Sequence, residues 1–114
     1  MRFGPSWVES VIIKNHPRWR DVMDVTILLG SSSDLPIAQK CTKILEHFDV
    51  PYQLRVASAH RSPKFVEQIV GDAIDDGCSV FIAMAGLAAA LPGAVAALTT
   101  KPVIGVPCGG RVPY

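Results

Sequence analysis

The sequence has 114 residues, which is enough for one domain with its own core and too few for two. Its formal net charge of +1 is nearly balanced, so nothing in the composition indicates a nucleic acid or an acidic partner. Charged residues make up only 18% of the chain and apolar residues 49%. This balance favours burial of additional surface between subunits, although a fragment of a larger fold would have the same composition.

The first 23 residues differ in pattern from the remainder. Two prolines, two tryptophans and scattered basic residues predict an irregular arm over residues 1–23, with a short helical turn around Trp7 to Ile13. The segment does not have the apolar core of a secretory signal. We place the functional domain at residues 24–114.

From residue 24 onwards, short apolar runs alternate with amphipathic segments. The pattern predicts strands at 24–29, 52–57, 79–85 and 102–106, and helices at 35–48, 63–76 and 90–98. Strands that alternate with helices of this length indicate βαβ crossovers and a parallel sheet. We therefore expect an α/β domain with three layers, α/β/α, and a parallel, flavodoxin-like sheet.

The span from Gly77 to Thr100 contains no charged residue and is long enough to cross a bilayer. However, Gly86, Pro92 and Gly93 interrupt it, and its second half is mostly alanine. The pattern therefore predicts a buried strand and a buried helix, and no membrane association. A helix that is apolar on every side must be buried on every side, and a neighbouring subunit is the expected cover.

The first candidate ligand loop, Gly30-Ser31-Ser32-Ser33-Asp34, lies between the strand at 24–29 and the helix at 35–48. Small residues let backbone N–H groups approach a ligand closely, and the start of a helix favours negative charge. Serine hydroxyls add donors, and Asp34 can accept from a sugar hydroxyl. The loop therefore suits a phosphorylated ribose, although Ser-Asp is also a common capping sequence. It is neither a Walker loop nor a dinucleotide fingerprint.

The second candidate loop is Ser58-Ala59-His60-Arg61-Ser62-Pro63, which follows the strand at 52–57. A histidine there can move protons near neutral pH, and an adjacent arginine can hold an anion. Ser62 is the expected N-cap of the next helix and Pro63 its first residue. An ordinary surface loop is the alternative interpretation of the segment.

The cysteines are Cys41, Cys78 and Cys108. Their spacing matches neither a zinc site nor a disulfide framework, so we expect no metal and a reducing, cytoplasmic location. Cys41 and Cys78 lie within apolar patterns that indicate core positions. Cys108 lies in a Pro-Cys-Gly-Gly turn and is a candidate nucleophile, for which no partner base is visible.

Both loops, together with the segment Ala85–Gly93 and the run Pro102–Pro107, resemble one family in sequence and in order. Over residues 24 to about 110, the chain resembles the carboxyaminoimidazole ribonucleotide mutases (PurE), also known as the catalytic subunit of phosphoribosylaminoimidazole carboxylase. The resemblance implies an enzyme of de novo purine (IMP) biosynthesis that moves a carboxyl group from the exocyclic nitrogen of an aminoimidazole ribonucleotide to a ring carbon. It also implies an octamer and no cofactor.

By the same resemblance, His60 is the catalytic acid and base, and a ribonucleotide is the small-molecule substrate. Gly86 and the Leu91-Pro92-Gly93 turn form the floor of the pocket. The implied substrate-binding residues are Ser31, Ser33, Asp34, Ser58, Arg61, Gly86 and Leu91.

Two features depart from the family pattern. Ala90 stands where a histidine is common, and the chain ends at Tyr114, where members continue for about another third of a domain. A carboxylase that uses free carbon dioxide is the first alternative, although its members tend to have lysine in place of Arg61. A catalytically silent, truncated paralogue that binds a nucleotide is the second, and a flavodoxin-like regulator is the third.

Overall fold

The computed structural model describes residues 13–15, 23–86 and 90–108. The strands are β1 (Ile13–Asn15), β2 (Val25–Leu29), β3 (Tyr52–Val56), β4 (Val80–Ala85) and β5 (Val103–Pro107). The helices are α1 (Leu35–His47), α2 (Pro63–Asp75) and α3 (Ala90–Ala96), and a 3-10 turn, Ser32–Asp34, precedes α1. From β2 onwards, strands and helices alternate as the sequence predicts.

The described strands form one sheet in the order β1-β3-β2-β4-β5. β2 is parallel to β3 on one side and to β4 on the other, and β4 is parallel to β5. Ile27 pairs with both Leu54 and Ile82, so the three strands are in register and their carboxyl ends meet at one edge. The predicted parallel, flavodoxin-like sheet is confirmed.

Helices cover both faces of this sheet. Alternate residues of β2 belong to different apolar clusters, as the alternation of side chains along a strand requires. On one face, Leu28 packs in a cluster with residues of α2 and α3. On the other face, Ile27 and Leu29 pack in a cluster with Ala38 of α1. The three-layer α/β/α arrangement is confirmed.

The described elements begin and end close to the predicted positions, and α3 differs most. It ends at Ala96, and its buried residues are Leu91 and Val95. Gly93 and Ala96 are exposed. One chain therefore covers this helix only in part, and its cover by a neighbouring subunit stays a prediction.

A short strand in the N-terminal segment was not expected. Ile13–Asn15 pairs in antiparallel orientation with β3. The expectation of an irregular arm over residues 1–23 therefore fails at β1. The physical reason is that the free edge of β3 presents N–H and C=O groups that a neighbouring segment can pair with. Of the helical turn expected around Trp7 to Ile13, only Ile13 is among the described residues, and it lies in β1.

The uncharged span at residues 77–100 divides into β4 and α3, as predicted. In the part of the chain that the structure describes, every helix is too short or too polar to cross a bilayer.

Candidate functional site

A cleft of about 290 Å³ lies at the edge of the sheet where β2, β3 and β4 end. The loops that follow these parallel strands form its walls, at the position where open α/β sheets bind ligands. The cleft is lined by Gly30, Ser31, Asp34, Ser58, Ala59, His60, Ala85, Gly86, Ala90 and Leu91. Both loops that the sequence singles out therefore face the same cavity.

The first loop follows β2 and is held by backbone and hydroxyl hydrogen bonds. The Gly30 amide donates to the Met84 carbonyl at 2.9 Å, which extends the pairing of β2 with β4 into the loop. The Ser31 hydroxyl accepts from the Ser33 amide at 3.2 Å and shares a 2.9 Å hydrogen bond with the Ser33 hydroxyl. When Ser33 is the donor in that bond, Ser31 keeps its own proton for a ligand.

Asp34 ends the same loop. It occupies the N-cap position of α1, but its side chain makes no capping hydrogen bond. Asp34 lines the cleft, and a carboxylate there can accept hydrogen bonds from a ligand. Capping, which the sequence left open as an alternative role, is therefore not what this side chain does.

The second loop forms a tight turn that is centred on Ser58. The Ser58 hydroxyl accepts from the Arg61 amide at 3.2 Å. The Ser58 carbonyl accepts from the Ser62 amide at 2.9 Å and from the Ser62 hydroxyl at 3.2 Å. His60 lies at the tip of this turn, where its exposed side chain lines the cleft.

The turn is anchored at the sheet and at α2. The Ala57 amide donates to the Leu29 carbonyl at 2.8 Å, which fixes the start of the turn on β2. Pro63 is the first residue of α2, as predicted. Ser62 occupies the N-cap position, but its side chain makes no capping hydrogen bond. The predicted N-cap position is confirmed, although the Ser62 hydroxyl bonds back to the Ser58 carbonyl and not to an amide of α2.

The floor of the cleft lies between the end of β4 and the start of α3. Gly86 and Leu91 line it, as expected. The predicted Leu91-Pro92-Gly93 turn is instead part of α3. Pro92 packs against β5, where a Cβ built on Gly105 would lie 3.2 Å from the Pro92 Cβ. Pro92 and Gly93 are not among the residues that line the cleft.

Cys108 lies beside this floor and is only 3% exposed. Its amide donates to the Ala85 carbonyl at 2.7 Å. Burial raises the pKa of the Cys108 thiol, and the negative charge of Asp34 raises it further. A higher pKa leaves less thiolate at neutral pH, so the environment argues against Cys108 as a nucleophile. Cys41 and Cys78 pack in the two apolar clusters, as predicted.

Two of the predicted site residues, Ser33 and Arg61, are exposed and lie outside the cleft lining. Ser33 is bonded to Ser31, and Arg61 is next to His60 in the chain. The predicted residues that line the cleft are His60, Ser31, Asp34, Ser58, Gly86 and Leu91.

The cleft is also lined by four residues that were not predicted as site residues, Gly30, Ala59, Ala85 and Ala90. Gly30 directly follows β2, Ala85 ends β4 and Ala90 begins α3. Their position at the carboxyl ends of parallel strands, or at the start of the next helix, was the signal that could have identified them.

The cleft combines an imidazole, a carboxylate and hydroxyl groups. The imidazole has nitrogen atoms that can donate or accept a proton, and the hydroxyls can donate to an anionic ligand. Among residues 13–15, 23–86 and 90–108, no group of three or more His, Cys, Asp or Glu side chains is placed to hold a metal ion. The arrangement suits proton transfer on a small anionic ligand.

The sequence of this α/β domain matches one known protein family. The family described as AIR carboxylase matches residues 24–112, which include both loops and the floor of the cleft. The chain belongs to the AIR carboxylase family.

Curated relatives in this family share about half of the matched residues. The N5-carboxyaminoimidazole ribonucleotide mutase of Methanocaldococcus jannaschii is 56% identical over 88 residues, which cover 77% of this chain and 54% of the relative. The mutase of Aliivibrio fischeri is 46% identical over 89 residues, which cover 78% of this chain and 55% of the relative.

A third relative has a different name. The phosphoribosylaminoimidazole carboxylase of Candida glabrata is 48% identical over 86 residues, which cover 75% of this chain and 15% of the relative. The chain thus spans about half the length of the two mutases above, and much less of this carboxylase.

Proposed function

We propose that this chain carries the substrate site of an enzyme of purine biosynthesis, a carboxyaminoimidazole ribonucleotide mutase. The observation that carries the proposal is the cleft in which His60 faces the same cavity as Ser31 and Asp34. Relatives named as mutases of this ribonucleotide, at 56% identity, support the substrate class. The proposed reaction uses the protein's own side chains and needs no cofactor.

In this proposal the two loops bind opposite sides of the ribonucleotide. Hydroxyl groups and the Arg61 guanidinium donate to the phosphate, and charge-assisted bonds of this kind are strong. The Asp34 carboxylate accepts from the ribose hydroxyls. The floor of the cleft faces the aminoimidazole. The proposed substrate-binding residues are Ser31, Ser33, Asp34, Ser58, Arg61, Gly86 and Leu91.

His60 acts as both acid and base in the proposed reaction. When carbon dioxide leaves the N-carboxylate, the N–C bond breaks and the nitrogen takes a proton from the imidazolium. The ring carbon then attacks carbon dioxide, and the neutral imidazole removes the proton from that carbon. One imidazole can donate the first proton and accept the second, so it serves both steps and no net proton is consumed. A closed site keeps carbon dioxide near the ring.

A carboxylase that adds free carbon dioxide to the aminoimidazole ribonucleotide is the second candidate. The Candida glabrata relative has the name phosphoribosylaminoimidazole carboxylase, whereas the relatives at 56% identity are named mutases. Arg61 favours the mutase, because the carboxylase branch tends to have lysine there. Product that forms from the N-carboxylated nucleotide without added bicarbonate identifies a mutase. Product that forms from the uncarboxylated nucleotide only with bicarbonate identifies a carboxylase.

Replacement of His60 separates chemistry from binding. His60→Asn should abolish turnover and leave nucleotide affinity within a few-fold, because the imidazole acts on the reacting atoms. Arg61→Ala should instead weaken binding by about 1.5–3 kcal/mol, the value of a charge-assisted contact. Initial rates and calorimetric titration measure the two effects. His47→Asn on α1 is the matched control, because His47 is exposed and does not line the cleft. Full activity in His60→Asn would refute the mechanism.

We also propose that the chain forms a homo-oligomer, an octamer by resemblance. Large apolar side chains are exposed at Ile44 on α1 (60%), at Phe48 directly after α1 (69%) and at Ile104 on β5 (52%). Exposed apolar surface of this kind often marks contacts between proteins. Sedimentation at micromolar concentration should give a mass several times that of one chain. A well-behaved monomer would contradict the proposal.

We further propose a cytoplasmic location with no nucleic acid or membrane partner. The three cysteines are free thiols, which are typical of a reducing compartment. The nearly balanced charge gives no electrostatic attraction to polyanions.

A further inference from the structure

Arg55 is the charged residue of β3, and its side chain reaches α2. Leu54 and Val56 on either side belong to the cluster beneath α1, so Arg55 faces the opposite side of the sheet. Its guanidinium carbon lies 5.5 Å from the centre of the Phe65 ring. Phe65 is in the first turn of α2 and packs against the apolar cluster of that face. The contact therefore joins the end of β3 to the start of α2.

The same guanidinium interacts with a carboxylate further along α2. Burial lowers the pKa of Arg55, and the negative charge of Asp72 raises it. Phe65 and Asp72 are about two helical turns apart, so they lie on the same side of α2. Arginine remains protonated at physiological pH, so the Arg55 guanidinium contacts the Phe65 ring and is attracted by the charge of Asp72 on one side of the helix.

The chain between Arg55 and Phe65 contains the whole His60 turn. The hydrogen bonds of Ser58 shape this turn from within. The bond from Ala57 to β2 fixes its first end. Its second end is the start of α2, which the contact between Arg55 and Phe65 holds against β3.

We infer that Arg55 is a positioning residue for His60, because its contact with Phe65 fixes the start of α2 and hence the direction in which the turn presents the imidazole to the cleft. Arg55 is not among the residues that line the cleft, so it acts through the turn. The kinetic consequence rests on the proposed function, whereas the effect on the turn can be measured without substrate.

The test replaces Arg55 with methionine, which keeps an unbranched chain against Phe65 and removes the charge. The amides of Arg61 and Ser62, which both bond to Ser58, should exchange with solvent faster by about threefold, as expected for loss of one partly exposed cation–π contact. In turnover, kcat should fall more than KM rises, because the Gly30–Asp34 loop is unchanged. Arg55→Lys should recover part of both effects.

Tyr52→Phe is the matched control at the other end of β3. It removes a hydroxyl that donates to Glu46, and it should lower stability without changing exchange of the two amides. Equal loop exchange in Arg55→Met and Tyr52→Phe would overturn the inference. If Arg55→Met does not fold, Phe65→Leu tests the same contact, and unchanged exchange there would also overturn it.

The two proposals fail separately. Faster loop exchange in Arg55→Met, combined with no turnover by the unmodified chain, would support the positioning role and refute the proposed function. Turnover by the unmodified chain, combined with unchanged loop exchange in Arg55→Met, would support the proposed function and refute the positioning role.

Discussion

Serine hydroxyls in the cleft bond first to their own loops. Ser31 accepts from the Ser33 amide and Ser58 from the Arg61 amide. Short hydroxyl side chains reach backbone groups two or three residues away, which is why serine is common in tight turns. The sequence predicts these serines as ligand donors. In the structure, the hydrogen bonds of these serines also stabilise the loops that would hold the ligand.

Removal of one such hydroxyl should affect binding more than folding. Ser58→Ala should leave the free energy of unfolding within about 1 kcal/mol of wild type, because water can replace the hydroxyl at the Arg61 amide. Nucleotide affinity should fall by about two- to tenfold, the value of one neutral hydrogen bond. Denaturation and calorimetric titration measure the two quantities. Ser79→Ala, an exposed serine just before β4, is the control. Equal affinity in the two variants would contradict the prediction.

The sequence predicted which functional side chains form the site, but not the contacts that hold them in place. His60 and Asp34 were identifiable because each follows an apolar run at the point where a strand ends. The hydrogen bond from the Ser62 hydroxyl to the Ser58 carbonyl could not be predicted, because a serine at this position can equally well cap the following helix. Arg55 was counted within an apolar strand, since its contact with Phe65 depends on how α2 packs and not on neighbouring residues.

Helix and strand boundaries have local chemical causes, and they were accordingly predictable. Pro63 begins α2, where its missing N–H costs nothing. Asp49 after α1 and Gly77 after α2 have φ of 54° and 89°, the left-handed conformation that commonly ends helices. β1 has no such local signal. Its pairing depends on the edge of β3, which is distant in sequence.

Gly71 offers a direct way to strengthen α2. It lies inside the helix and is exposed, and a Cβ built there would meet nothing within 4 Å. Gly71→Ala should raise the free energy of unfolding by about 0.5–1 kcal/mol, because alanine loses less backbone freedom on folding. Gly105→Ala is the contrasting variant, since its Cβ would lie 3.2 Å from that of Pro92. Urea denaturation should rank Gly71→Ala above wild type and Gly105→Ala below it. A Gly71→Ala variant no more stable than wild type would refute this.

The low share of charged residues is reflected in apolar side chains that one chain leaves uncovered. Ile44 on α1 and Phe48 directly after it lie on one side of the sheet, and Leu98, which is 38% exposed, follows α3 on the other. Exposed apolar groups on both outer layers indicate that the proposed contacts between subunits involve more than α3. The contribution of α1 could not be predicted from the sequence, because polar residues surround Ile44 and Phe48 in the chain and no uncharged stretch marks them.

Three weakly acidic side chains have a raised pKa in the folded protein. Burial raises the pKa of Tyr52, Cys41 and Cys108. At Tyr52, the hydrogen bond to Glu46 raises the pKa further. Each group therefore holds its proton to higher pH when folded than when unfolded. The resulting stabilisation is complete below the unfolded pKa values, about 9 for thiols and 10 for tyrosine, and is lost as pH rises through the folded values.

Alkaline pH should consequently destabilise the protein through Tyr52 in particular. This side chain is 2% exposed, and ionisation would place its negative charge beside the Glu46 carboxylate. Under reducing conditions, the free energy of unfolding should be lower at about pH 10.5 than at pH 7, because the unfolded chain then releases protons that the folded chain retains. Tyr52→Phe should start from a lower value at pH 7 and decline less, since phenylalanine cannot ionise. Urea denaturation of both proteins at the two pH values measures the difference. Equal declines would show that the thiols, and not the tyrosine, set the alkaline limit.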